Sequence, residues 1–201
     1  EALSLQRRGQ VGTNKGMRVI AGKAKGHSLK WPRNAHIRPT VDLVRGAIFS
    51  SLESLSVDWS HALDLYAGSG ALGIEALSRG AEEVDFVERN HRCCSIIEEN
   101  LKHTGLAERS RVYRMEARKA LRTLQKQYTL IFLDPPYSDR SGHTMLGEVA
   151  DSSLAGRQTT IVMEHSQHLI PEETCGKFHM IRRLRHGDTC VSIYQFAGGE
   201  D

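Results

Sequence analysis

Short apolar segments alternate with amphipathic stretches along most of this chain, and that alternation predicts an α/β protein with a mainly parallel sheet and helices on both faces. A glycine-rich turn between the first such strand and its helix, Ala67-Gly68-Ser69-Gly70-Ala71-Leu72-Gly73, marks where the sheet begins. His186-Gly187-Asp188, between two alternating segments near the end, predicts a closing antiparallel hairpin. A chain of 201 residues, 39% of them hydrophobic, is large enough for one such domain and a small appendage.

The elements follow in order. The first sixteen residues are polar and unpatterned, and are read as a disordered extension ahead of Met17. Arg18–Ala21 and His27–Trp31 flank Lys23–Gly26 as two short strands of a β-hairpin. Thr40 can cap a helix reaching about Leu55, because Val41, Val44, Ile48, Leu52 and Leu55 recur at helical spacing. Strands are then expected at 61–66, 83–88, 110–114, 129–133 and 159–164, with helices at 70–79, 90–103, 116–126 and about 141–153 between them. Segments 177–185 and 189–196 form the closing hairpin. The organisation is an extension (1–16), a basic hairpin and helix (17–56) and the α/β domain (57–201); no internal repeat is apparent.

Two motifs carry chemistry. In the glycine turn, Gly68 and Gly70 allow a sharp bend and close approach to a ligand, and Gly73 lets the helix sit tightly on the strand. About twenty residues further on, Val84-Asp85-Phe86-Val87 ends in Glu88, placed to accept hydrogen bonds from ribose hydroxyls. Dinucleotide enzymes share this spacing. However, Asp64 inside the first strand suits a cationic amine rather than a pyrophosphate, and the loop holds no lysine or arginine. S-adenosylmethionine, with a ribose, an adenine and a cationic amino-acid end, fits better than a nicotinamide dinucleotide.

The second motif is Asp134-Pro135-Pro136-Tyr137, closing the apolar run Leu130-Ile131-Phe132-Leu133. The Asp134 carboxylate and the Pro135 carbonyl can each accept a hydrogen bond from a planar amino group. Prolines lack a backbone donor and hold φ at about −65°, so both acceptors sit in a stiff turn with little local competition. Tyr137 offers a ring on which a base can stack, worth roughly 1–3 kcal/mol per base. The motif points to chemistry on a nucleobase amine, and its competing reading is a simple Asp-Pro turn at a strand end.

Composition narrows the classes further. The apolar runs fall far short of the roughly 18–20 residues that span a bilayer, and no signal-peptide pattern opens the chain. Cys93, Cys94, Cys175 and Cys190 lack C-x-x-C spacing, and adjacent Cys93 and Cys94 fall in a helix-like stretch as partly buried thiols, which fits a reducing, cytoplasmic setting. His165 and His168 could begin a metal site, but no further ligands are suggested nearby, so no metal is expected. Net charge is +3, unevenly spread: residues 1–40 hold nine Lys and Arg against Glu1 alone. A basic arm beside a near-neutral domain is the footprint of a phosphate-rich partner. Trp31 and Pro32 interleave with Arg18, Lys23, Lys25, Lys30, Arg33 and Arg38, the candidate nucleic-acid contacts.

With Met17-Arg18-Val19-Ile20-Ala21-Gly22, Lys25-Gly26, Arg38-Pro39-Thr40 followed by Asp42 and Arg45, and the two ligand motifs, the chain resembles the bacterial small-subunit ribosomal RNA guanine-N2 methyltransferases from about Met17 to Phe196. The resemblance implies a class I methyltransferase fold of the Rossmann-like kind and an S-adenosylmethionine cofactor. It implies methyl transfer to the exocyclic amine of a guanine in ribosomal RNA, free or within a ribosomal subunit. The catalytic group is then Asp134, Pro135, Pro136 and Tyr137, and Arg45 and Arg140 join the RNA contacts. Cofactor contacts are expected from Asp64, Tyr66, Ala67, Gly68, Ser69, Gly70, Glu88, Arg89, Glu116 and Ala117. Glu116-Ala117 departs from the family's Asp-Ala, though the longer carboxylate can still reach an adenine amine. An adenine or cytosine amine in DNA or another RNA is the alternative target. A glutamine amide, a dehydrogenase and a non-catalytic RNA-binding module remain as lesser readings.

Overall fold

The computed structural model describes residues 16–32, 42–135 and 141–198, with backbone alone for 141–143. Its elements run α1 (Asp42–Ser54), β1 (His61–Asp64), α2 (Ala71–Ser78), β2 (Glu83–Glu88), α3 (His91–Thr104), β3 (Ser110–Arg114), α4 (Ala117–Thr123) and β4 (Tyr128–Leu133). Then come α5 (Ser141–Ala150), β5 (Ala155–Ser166), β6 (Thr174–Cys175), β7 (Phe178–His186) and β8 (Thr189–Phe196). They form one eight-stranded sheet in the order β3-β2-β1-β4-β5-β8-β7-β6. The first five strands are parallel, and β8, β7 and β6 continue the sheet antiparallel. Among the described residues no helix is long and apolar enough to cross a membrane.

The period of two along the strands sorts side chains between two cores. Ala62, Leu130 and Phe132 pack on one face with Ile48 and Phe49 of α1, Ile74 and Leu77 of α2 and Ile97 of α3. Leu63, Ile131 and Leu133 pack on the other with Ala120 of α4 and Leu146 and Val149 of α5. Strands covered on both faces carry apolar residues at successive positions, and for that reason Leu130–Leu133 is a continuous apolar run.

Three expectations are corrected. The N-terminal hairpin is a single bridge, Arg18 to Ser28, around a tight turn, rather than two strands. Its backbone bonds to α2 in place of a partner strand: Ile20 and Ala21 N–H donate to the Glu75 carboxylate at 2.8 and 3.0 Å, and Lys23 N–H to the Ser78 carbonyl at 2.8 Å. Met17, Val19, Ala24 and Leu29 are buried in the same core as α1 and α2, so the basic segment and the sheet share one interior. Second, α4 and α5 end at Thr123 and Ala150, sooner than expected, and β5 begins at Ala155. Third, β6 and a 3-10 turn at Ala107–Arg109 are additions to the expected elements, since two or three residues show no period. The expected Thr40 cap and residues 1–15 lie outside the described residues.

Candidate active site

Ligands of open α/β sheets bind beyond the carboxyl ends of the strands, and there the predicted residues gather. The turn after β1 needs its glycines: Gly68 has φ 54° and Gly70 φ 80°, conformations that side chains resist. The Gly70 N–H closes the turn on the Ala67 carbonyl at 2.6 Å, and the Ala67 N–H donates to the Val87 carbonyl at 3.1 Å, tying the ends of β1 and β2 together. Glu88 completes the tie. Its Oε2 accepts the Gly68 N–H at 3.0 Å and its Oε1 the Asn90 N–H at 2.7 Å, leaving lone pairs on both oxygens for further donors.

Asp64 is buried, with 2% of its surface exposed. Its Oδ2 accepts the Gly73 N–H at 3.1 Å, in the first turn of α2. Burial raises its carboxyl to about 7; the Gly73 bond opposes the rise and the neighbouring Glu88 adds to it. Such a carboxylate gains from a cation and repels a phosphate. The turn and its acids therefore fit the cationic amino-acid end of S-adenosylmethionine and not a pyrophosphate.

Asp134 follows β4, half-buried, with Pro135 buried behind it. Parallel register pairs Asp64 with Phe132 and Leu133 with Met163. Asp134 therefore lies one pleat beyond Asp64 on the same face, with Glu164 of β5 in the adjacent position. Its carboxyl is raised well above the usual carboxylate range, first by burial, then by the Glu164 and Asp64 charges.

The remaining expected residues fall in different places. Tyr66 is half-buried, Ala67, Ser69 and Ala117 are buried, and Arg89 and Glu116 are exposed. Glu116 stands at the N-cap position of α4 without bonding the helix through its side chain. Arg18, Lys23, Lys25 and Lys30 are exposed; Arg18 lies 3.9 Å from Asp42, and Lys30 pairs with Glu99 at 2.9 Å. Arg45 does not join them. It is wholly buried, donating to Asp42 Oδ1 at 3.0 Å and to the Arg18 carbonyl, with Glu75 Oε2 3.7 Å from its Nε. It bolts α1 to α2 and the N-terminal segment, out of reach of a phosphate. Pro136, Tyr137, Arg140, Arg33 and Arg38 lie outside the described residues. The buried His165 bonds the Ser166 carbonyl and the Ser192 hydroxyl, each at 2.9 Å.

Two residues of the site have no signal in the sequence. Glu164 is one. Asn100 of α3 is the other: its side chain accepts the Lys30 N–H at 2.8 Å and donates to the Lys30 and Ser69 carbonyls at 2.9 and 3.0 Å. A buried amide thus joins the basic segment to the glycine turn. A polar residue on a helix carries no local mark of such a role. A cavity of about 770 Å³ lined by Gln127, Asp151, Lys177 and Phe196 opens at the other end of β4 and β5, away from this group.

A family profile described as "Conserved hypothetical protein 95" matches residues 17–195. The chain is 40% identical over 185 residues to "Putative rRNA methyltransferase YlbH" of Bacillus subtilis (strain 168), covering 90% of this chain and 100% of that one. It is 36% identical over 121 residues, 60% of each chain, to "Ribosomal RNA small subunit methyltransferase D" of Escherichia coli (strain K12). Among solved structures it resembles "Putative methyltransferase yhhF from Escherichia coli", with TM-score 0.77 and 28% identity over 91% of this chain and 99% of that one.

Proposed function

The chain belongs to the family described as conserved hypothetical protein 95, and from that premise we propose that it transfers a methyl group from S-adenosylmethionine to the N2 amine of a guanine in small-subunit ribosomal RNA. One observation carries the reading: Asp64, the Gly68–Gly70 turn, Glu88 and Asp134 meet at the carboxyl ends of adjacent strands. The relatives' names, which speak of ribosomal RNA methylation, support the substrate class.

The bound cofactor supplies an electrophilic methyl on a sulfonium. Asp64 then balances its ammonium, Glu88 accepts from its ribose hydroxyls, and the glycine turn lets the backbone come close. Glu116 and Ala117, at the start of α4, border the adenine. Asp134 and the Pro135 carbonyl accept the two N–H groups of the target amine. That grip favours rehybridisation of nitrogen, whose lone pair is otherwise delocalised into the ring. Positioning of this kind can lower a barrier by roughly 7–11 kcal/mol in favourable cases. A paired base cannot enter, so the target is unpaired or flipped out. Tyr137, two residues after Pro135, is the stacking surface for it.

The test is to incubate the protein with labelled cofactor and either naked small-subunit RNA or assembled subunits, then identify the methylated nucleoside by mass spectrometry. N2-methylguanosine is the expected product. A methylated adenosine or cytidine would overturn the guanine assignment and leave the amine chemistry standing.

A further inference from the structure

Three carboxyl groups stand on one face of the sheet at its carboxyl end, from three adjacent strands: Asp64 of β1, Asp134 after β4 and Glu164 of β5. The glycine turn accounts for Asp64, and the target amine for Asp134. Glu164 is unassigned, yet only 5% of its surface is exposed, and β5 carries it beside Asp134 with Val191 of β8 on its other side. Neighbouring parallel strands lie about 4.8 Å apart, so side chains at adjacent positions on one face meet. Two carboxylates so close in a site of low dielectric cannot both ionise cheaply. The trio does not form a metal cluster among the described residues.

Resting on the amine reading above, we propose that Glu164 is a positioning residue for Asp134: the two form a carboxyl pair in which Asp134 takes the proton leaving the methylated amine and Glu164 makes it basic enough to do so. As the amine lone pair forms the N–CH3 bond, the S–CH3 pair returns to sulfur and the nitrogen becomes cationic. The N–H pair then returns to nitrogen as the proton passes to an Asp134 oxygen, neutralising that carboxylate. The pair releases the proton to solvent when the product leaves.

Among the described residues, Asp64 also adds to this basicity, but less than Glu164 does. Asp64 lies a pleat below, engaged with the Gly73 N–H, and Glu88 stands beyond it on β2. Across the face, Arg45 of α1 and Glu75 of α2 are tied to Asp42, Arg79 and the N-terminal backbone. From β8 the neighbour is Val191. Burial, then the Glu164 charge and after it the Asp64 charge favour the protonated form of Asp134, and a base works best with its proton affinity near the working pH.

Single-turnover methylation of small-subunit RNA, followed against pH, tests the pair. In the wild type the rate should rise with pH through a limb above the usual carboxylate range. Glu164→Gln removes the neighbouring charge, so the limb should move down by about one pH unit or more, with the high-pH plateau falling roughly three- to tenfold as Asp134 becomes a weaker base. Glu164→Asp should stay near the wild-type limb. A merely structural Glu164 would lower the rate at every pH without moving the limb, and that result overturns the proposal. The second readout needs no turnover: a ¹³C carboxyl titration of the wild-type protein should show Asp134 titrating above an ordinary aspartate, and an ordinary value overturns the pair even if Glu164→Gln fails to fold. Asp134→Asn separates the two inferences. Undiminished turnover there would sink the amine reading itself, whereas loss of turnover with an unmoved Glu164→Gln limb would sink only the pair.

Discussion

Asp64 and Glu88 end neighbouring strands, and each holds a backbone N–H of the turn region while facing the cofactor position. Removing Glu88 takes away acceptors for the ribose and the brace on Gly68. Glu88→Ala should weaken S-adenosylmethionine binding by roughly 1–3 kcal/mol; unchanged affinity by calorimetry, in a folded variant, would dismiss Glu88 as a ligand. Asp64 allows a pH test. Its folded carboxyl sits at about 7 against an ordinary 3.8, so the folded state holds that proton more tightly than the unfolded state does. The stability it contributes is therefore full below about pH 4, declines as pH rises towards 7 and is flat beyond. Thermal melts of the cofactor-free protein over that window should show this decline, and Asp64→Asn, which keeps an oxygen for the Gly73 N–H, should show less of it. Asp134 bends the curve the same way, so the difference between the two proteins reports Asp64. Identical slopes would mean that Asp64 is not held protonated.

Among the elements, α2 joins the N-terminal segment, α1 and the sheet. All eight of its residues are buried. Below it, Gly73 lies so close to β2 that an added Cβ would meet Phe86 carbons at 2.3 and 2.7 Å and Val84 at 3.0 Å. Two of those atoms belong to a buried ring with no room to swing away. Gly73→Ala should push α2 off the sheet and cost about 1–3 kcal/mol in urea unfolding, with a weakened cofactor site because the Asp64 bond to residue 73 moves too. An alanine protein as stable as the parent would show that the helix has slack. Above it, Glu75 and Ser78 receive the N-terminal segment. α3 makes the second tie: Asn100→Ala would leave the Lys30 and Ser69 backbone groups short of a partner. It should destabilise by about 1–3 kcal/mol, and both cofactor and RNA affinity should fall, as paired binding measurements can check.

Across the whole molecule, the exposed lysines and the carboxyl-lined site are built on one shared interior. Lys23, Lys25 and Lys30 project outward while the backbone beneath them bonds to α2 and α3. Replacing all three by alanine therefore removes charge without removing those backbone bonds. RNA affinity should fall, and its dependence on salt should flatten by about 0.7–0.9 units for each phosphate that the variant no longer neutralises. Cofactor affinity should not change. Parallel salt slopes of equal height for variant and parent would show that these lysines are solvated surface and that RNA approaches elsewhere.

What the chain determined by itself was whatever a local pattern can encode. Period two and period 3.6 located the strands and helices to within a few residues, because each element shows its buried faces in its own sequence. Glycines at 68, 70 and 73 and the acids at 64, 88 and 134 were legible because turns and strand ends demand particular residue types at fixed spacing. Tertiary structure decided what depends on neighbours distant in sequence. Arg45 was expected among the RNA contacts, but the packing of α1 on α2 buries it beside Asp42 and Glu75. The two N-terminal strands shrank to one bridge because α2 offers the segment better acceptors than its own other half does. Glu164 lies thirty residues from Asp134, and Asn100 seventy from Lys30. No local period links such pairs; strand register and helix packing bring them together, and a change of one residue in register would have turned Glu164 to the opposite face.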